Sequence, residues 1–280
     1  MKGPNYHEVA RALIDQRRYE IAISQLEKSL RENPEDSYSY CLLAYCYREL
    51  GHPQKAIELA KRAIKLDADD DFAYYTLART QLEIDDYKNA ERNADIAIDI
   101  DPDYAHYFGL KAAINNARDK HQQAIDFAEK GLEIDAEDVY CLFTKALAHH
   151  CLEQYEAADE VLDQLLKVQP DDVETLTLKG WNCLRTGRRK KAAMHLETAM
   201  QQNPENEFAQ NGYRSLISAK NPLYRLLLKS DDTAATLISS GTIWVLMVLI
   251  FIYIYWEDSQ DTSSVLSLIH ISEPTRREGI

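Results

Sequence analysis

Two hydrophobic patterns divide this chain. From Gly3 to Asn206 small and large apolar residues recur in a fixed register, broken at regular intervals by short polar turns such as Asn33-Pro34-Glu35-Asp36 and Asp101-Pro102-Asp103. This alternation predicts paired amphipathic helices of roughly 12 to 14 residues joined by tight turns. Far along the chain it gives way to Thr233–Trp256, which are 24 positions without a charge. Glu207 to Lys220 reads as one further amphipathic helix, ending before Asn221-Pro222.

The register has a period of 34 residues, with copies at 3–36, 37–70, 71–104, 105–138, 139–172 and 173–206. Position 20 of the copies is Ala22, Ala56, Ala90, Ala124, Ala158 and Ala192, and position 8 is Ala10, Ala44, Ala78, Ala112, Ala146 and Gly180. Only Ala or Gly lets two helix backbones approach closely, so these offsets mark where paired helices cross. Position 32 is Pro34, Ala68, Pro102, Ala136, Pro170 and Pro204. A proline there ends the second helix, and nearby acids cap the next one.

On these residues the chain resembles the tetratricopeptide repeat family, whose unit is a 34-residue helix–turn–helix. The resemblance covers the six copies and implies an all-α solenoid, with 207–220 as a capping helix. Ala68 and Ala136 depart from the usual turn proline. The resemblance also implies that the first helices of successive copies line a groove that binds another protein, chiefly through positions 2, 5 and 9. Those positions carry Tyr38, Phe72, His106 and Tyr140; His7, Cys41, Tyr75 and Phe143; and Arg11, Tyr45, Arg79 and Trp181. An apolar or aromatic peptide, or a partner helix, is the expected occupant. Members that bind chaperone tails need Lys at position 5 and Asn at position 9, and no copy here has either. Lys111, Lys145 and Lys179 share position 7 of the last three copies, where they either gather a small anion or bury their stems and reach for water.

The uncharged run is long enough to cross a bilayer as one helix, with Tyr253, Tyr255 and Trp256 at its end as an interfacial belt. Arg214, Lys220, Arg225 and Lys229 precede it, whereas Glu257, Asp258 and Asp261 follow. This asymmetry places the repeats in the cytoplasm. Residues 221–232 form the juxtamembrane piece and 257–265 a polar tail. Leu266 to Arg276 read as the in-frame translation of a transposase-type sequencing adapter. Residues 266–280 are therefore expected to be a read-through artefact, with the genuine chain interrupted near Val265. An independent genomic read encoding the same residues would refute that.

The net charge of −14 repels a phosphate backbone and speaks against nucleic acid as a partner. Cys41, Cys46, Cys141, Cys151 and Cys183 show no C-x-x-C pairing, which fits a reducing compartment, and the first residues run into the repeats without a signal peptide. The nine glycines never approach closer than the seven residues between Gly180 and Gly187, so phosphate-binding glycine loops and nucleophile elbows are excluded within this chain. His149-His150-Cys151 is no ligand set, because neighbouring helical side chains diverge. No metal or small-molecule cofactor is expected. The expectation is a single-pass, non-enzymatic scaffold, in a bacterial inner membrane ahead of a eukaryotic tail-anchored setting. The alternative is the regulatory half of a larger membrane enzyme or secretion component.

Overall fold

The computed structural model describes residues 5–220, and among them the secondary structure is entirely helical. The helices are α1 (Tyr6–Asp15), α2 (Tyr19–Glu32), α3 (Ser37–Glu49), α4 (Pro53–Leu66), α5 (Asp71–Glu83), α6 (Tyr87–Ile100), α7 (Ala105–Ala117), α8 (His121–Ile134), α9 (Val139–Cys151), α10 (Tyr155–Val168), α11 (Val173–Arg185), α12 (Arg189–Gln202) and α13 (Glu207–Lys220). Each 34-residue copy contributes one odd-numbered and one even-numbered helix. The segments 221–232, 233–256, 257–265 and 266–280 lie outside the described residues. Among those described, no helix is long and apolar enough to cross a membrane.

The small-residue positions lie at the helix contacts. Ala10, Ala22, Ala44, Ala56, Ala78, Ala90, Ala112, Ala124, Ala146, Ala158 and Ala192 are all 0% exposed. Close approach at these points lets larger side chains on either side complete the core. That core runs as a strip from copy to copy. Leu26, Leu42 and Cys46 join α1, α2 and α3; Ala44, Ala60 and Leu77 join α3, α4 and α5; Tyr75, Ala94 and Leu110 carry it to α7. Ala112, Ala128 and Cys141 continue it to α9, Leu142, Leu162 and Leu178 to α11, and Leu176, Ala199 and Ala209 to α13. Each copy is buried by its neighbours, as expected for a solenoid.

The turn between the two helices of a copy repeats without exception. Position 15 is left-handed in all six: Arg17, Gly51, Asp85, Asp119, Glu153 and Gly187 have φ between 56° and 76°. The next residue donates its N–H back to the carbonyl of position 11, for example Gln154 to His149 at 2.9 Å and Arg188 to Cys183 at 2.8 Å. This is a Schellman closure, which satisfies carbonyls that the helix end would leave open. Four copies hold a side chain in a conformation that glycine adopts at no steric cost. Glu153→Gly is expected to raise stability by about 0.5–1 kcal/mol, read as a higher thermal midpoint. A lower midpoint would mean that the Glu153 side chain contributes more than its backbone costs.

The junctions between copies differ along the stack. Leu43 and Leu77 fill position 7 in copies two and three, each 4% exposed. In the later copies Lys111, 5% exposed, pairs with Asp95 and, at 3.6 Å, with Glu91. Lys145 pairs with Glu129 at 2.8 Å and Lys179 with Asp163. Each lysine therefore meets the acid at position 25 of the preceding copy and is not available to gather an anion. Asn182 ties the same region together. It donates to the Tyr155 carbonyl at 2.7 Å and to Asp159 at 2.8 Å, while its own oxygen faces His150 Nδ1 at 2.8 Å.

Candidate functional site: an aromatic groove on the odd-numbered helices

The odd-numbered helices expose one face to a common groove of about 550 Å³, lined from α1, α3, α5 and α7. Its wall is a run of rings. Tyr45 lies 6.2 Å from Phe72, and Phe72 stacks on Tyr75 at 5.9 Å. Tyr75 meets Tyr107 at 5.5 Å and His106 at 5.7 Å, and His106 meets Tyr140 at 4.9 Å. Positions 2, 5, 9 and 12 fall on one helical face because they are three or four residues apart. Register between copies then sets ring against ring.

Charge is embedded among the rings. Arg79 donates to the Tyr75 hydroxyl at 3.1 Å, and its guanidinium sits 5.0 Å from the Tyr140 ring centre. Arg48, 7% exposed, covers Tyr45 at 4.9 Å and pairs with Glu83 at 2.6 Å and with Glu49. Tyr107 donates to Asp71 at 2.5 Å. Burial, and then the Asp71 carboxylate, push the Tyr107 phenol well above its usual range. Burial raises Tyr45 to about 12. Both hydroxyls therefore stay protonated, and that of Tyr107 serves as the donor to Asp71. Asp138 accepts the Cys141 N–H at 2.7 Å and faces His106 Nδ1 at 3.1 Å. Burial alone would raise its carboxyl, but these contacts outweigh that and hold it below the ordinary aspartate value. The cap of α9 thus also fixes the His106 ring.

Seven of the residues named from sequence line the groove: Arg11, Tyr38, Tyr45, Phe72, Tyr75, Arg79 and His106. Tyr140 closes the run of rings through His106 and Arg79. Four others, Cys41, Phe143, Trp181 and His7, are not among the lining residues. Cys41 is 0% exposed and packs with Ala63 and Ala73; a side chain this short at position 5 stays in the core, where the Tyr75 ring is long enough to reach out. Phe143 turns onto Leu142, Leu162 and Leu178. Trp181 lies over Gly212, where an added Cβ would come within 2.9 Å of its Nε1. His7 faces Asp36 at 2.7 Å and stands edge-on to Tyr38 at 5.1 Å. Leu42, Arg48, Tyr104 and Tyr107 also line the groove and were missed. Arg48, at position 12, could have been found by extending the 2–5–9 face one further turn.

Among the described residues, no group of three or more His, Cys, Asp or Glu is placed to hold a metal ion. His149 and His150 face Gln154 and Asn182 respectively. The cysteine thiols are unpaired, with Cys151 exposed and the other four buried.

The described helices define the broad class: an α-solenoid of repeated helix pairs with an aromatic groove on its odd-numbered helices. Residues 15–95 match the family model of the anaphase-promoting complex, cyclosome, subunit 3, and residues 139–172 match that of the tetratricopeptide repeat. Among solved structures, a thermophilic tetratricopeptide-repeat protein from Thermus thermophilus is 21% identical with a TM-score of 0.60, over 65% of this chain and 98% of that one. The hetero-tetramer Cut9–Hcn1 of the anaphase-promoting complex is 16% identical with a TM-score of 0.68, over 75% of this chain and 42% of that one. PilF of Pseudomonas aeruginosa is 17% identical with a TM-score of 0.59, over 75% and 96%. No curated protein matches the sequence. The two family matches and the shared fold support the tetratricopeptide repeat family.

Proposed function

We propose that this protein is a membrane-anchored scaffold that captures a partner peptide or helix in the groove of α1, α3, α5 and α7. The observation that carries the reading is the unbroken run of rings from Tyr45 to Tyr140. Large rings and arginines dominate binding energy at protein interfaces, and here they line one cavity across four copies. The fold agrees with that use. The Cut9–Hcn1 neighbour was itself solved as part of a hetero-tetramer, and such assembly is the role proposed for this chain. Peptides selected on the full-length chain should lose binding when the groove rings are truncated. Selected binders indifferent to those rings would place the interaction on another surface.

The anchor in this proposal is 233–256, with the repeats on the cytoplasmic side; the charge asymmetry around the uncharged run supports both. Cys151 gives the test, since it is the exposed thiol while Cys41 and Cys183 are buried. In intact cells a membrane-impermeant maleimide should leave Cys151 unlabelled, and permeabilisation should expose it. Labelling before permeabilisation would reverse the topology, and recovery of the full chain in the soluble fraction would remove the anchor.

A further inference from the structure

The groove holds a guanidinium, that of Arg79, which forms no direct ion pair, although the Glu83 carboxylate acts on it from a distance. Among the described residues, Arg79 has no carboxylate within ion-pair distance, whereas Arg48, Arg118 and Arg188 do. Glu83, one helical turn beyond Arg79, is held by Arg48 at 2.6 Å. Glu174 is pushed above the usual glutamate range, first by burial, with Arg79 acting in the opposite sense, yet the two form no ion pair. The guanidinium spends one N–H on the Tyr75 hydroxyl and rests on the Tyr140 ring. A planar fork with further donors, fixed between two rings, is arranged for a carboxylate.

We infer that the occupant of the groove is a peptide segment with an internal Asp or Glu beside an aromatic or branched apolar residue. Its carboxylate meets Arg79, and its apolar neighbour lies on Phe72 and Tyr75. This deepens the groove-binding reading and rests on it. Charge complementarity selects this chemistry. On a chain of net charge −14, the groove lining balances Arg11, Arg48 and Arg79 against Asp15, Asp71 and Asp101. A single carboxylate fits beside Arg79, whereas a polyanion would meet the three aspartates. A chain-terminal carboxylate is the weaker fit, because such termini are captured by backbone N–H nests. Arg79 lies in the body of α5, away from the open N–H groups of that helix's first turn.

The test uses the full chain in detergent and a phage-displayed random dodecapeptide library. The best selected sequence is then synthesised with both termini blocked. Acidic residues next to aromatic or branched ones should be enriched. Replacing the acid of the peptide by its amide should weaken binding roughly thirtyfold, the size expected when one partner of a hydrogen-bonded charge pair is removed. Arg79→Gln should lose a similar factor, with little further loss when both changes are combined, and Arg79→Lys should retain part of it. Independent, multiplying losses would overturn the inference, as would enrichment of neutral or basic sequences or dependence on a free C-terminus. If Arg79→Gln does not fold, the acid-to-amide swap measured on the unaltered protein decides. Tyr45→Ala separates the two levels. Binding that needs Tyr45 but ignores the acid defeats this inference alone, whereas no selected peptide, or binding that ignores Tyr45, defeats the groove reading as well.

Discussion

Tyr45→Ala is expected to weaken a groove-bound peptide by about 2 kcal/mol or more, roughly thirtyfold, while leaving the protein folded. The Tyr45 ring is half-buried and touches the groove wall through Phe72 at 6.2 Å and Arg48 at 4.9 Å. It stands apart from the core clusters, unlike Phe72, which packs against those of Ala10, Cys41 and Tyr75. Truncating Phe72 would confuse lost binding with lost packing, whereas Tyr45 isolates the interface. Titration calorimetry with a selected peptide, beside a thermal melt of the variant, reads both quantities. Unchanged affinity in a variant with an unchanged melt would exclude the aromatic wall as the docking surface.

Gly131→Val should cost about 3 kcal/mol, near the upper end of ordinary overpacking, and lower the melting midpoint by roughly 6–12 °C. Gly131 lies in α8 where that helix crosses the next copy. A Cβ placed there would fall 2.4 Å from Cys141 Sγ, 2.9 Å from the Ala105 carbonyl oxygen and 3.1 Å from Phe108 Cβ. The Ala105 carbonyl accepts the Cys141 thiol at 3.3 Å, so the intruding carbon would separate two groups that bond each other. Adding Cys141→Ala to the valine variant should recover part of the loss, since it removes the nearest of the three obstacles. A melt equal to that of the unaltered protein would mean that α8 and α9 have room to part, contrary to the packing described.

The fold was legible because the close helix crossings admit so few residue types. Ala90 and Ala124 are small for a geometric reason that leaves a mark at every copy, and both are fully buried. The turn inside each copy left no such mark. Its left-handed residue is glycine only at Gly51 and Gly187, while Arg17, Asp85, Asp119 and Glu153 tolerate the same backbone, so sequence identity hides a conformation that all six share. The groove was legible where side-chain length and neighbouring copies agreed. Position 5 points toward the core, and Tyr75 reaches the groove from it while Cys41 does not. In Phe143 the ring is long enough, but the following copy offers Glu174 at position 2 in place of another ring, and it folds back onto leucines. Trp181 covers the space left by Gly212, a relation between distant positions that no single-copy pattern reveals. The partner of a lysine was equally hidden. Lys111 is explained by Asp95, sixteen residues earlier, and only the stacking of copies makes them neighbours.

Those lysine pairs also mean that the copies are not interchangeable modules. Lys145 would find an acid if the unit before it were excised, because Asp95 would take the place of Glu129, and Lys179 would likewise inherit Glu129. Excising 71–104 is different. Lys111 would then come down on Lys61, the residue at the equivalent position of the second copy, and two like charges would share a site that is 5% exposed at Lys111. Lys61 is itself exposed, so the cost falls on Lys111, whose buried ammonium would lose its carboxylate and face a like charge instead. The sequence order of the stack is thus written in a few charged side chains: removing 105–138 or 139–172 leaves every remaining lysine facing an acid, whereas removing 71–104 does not.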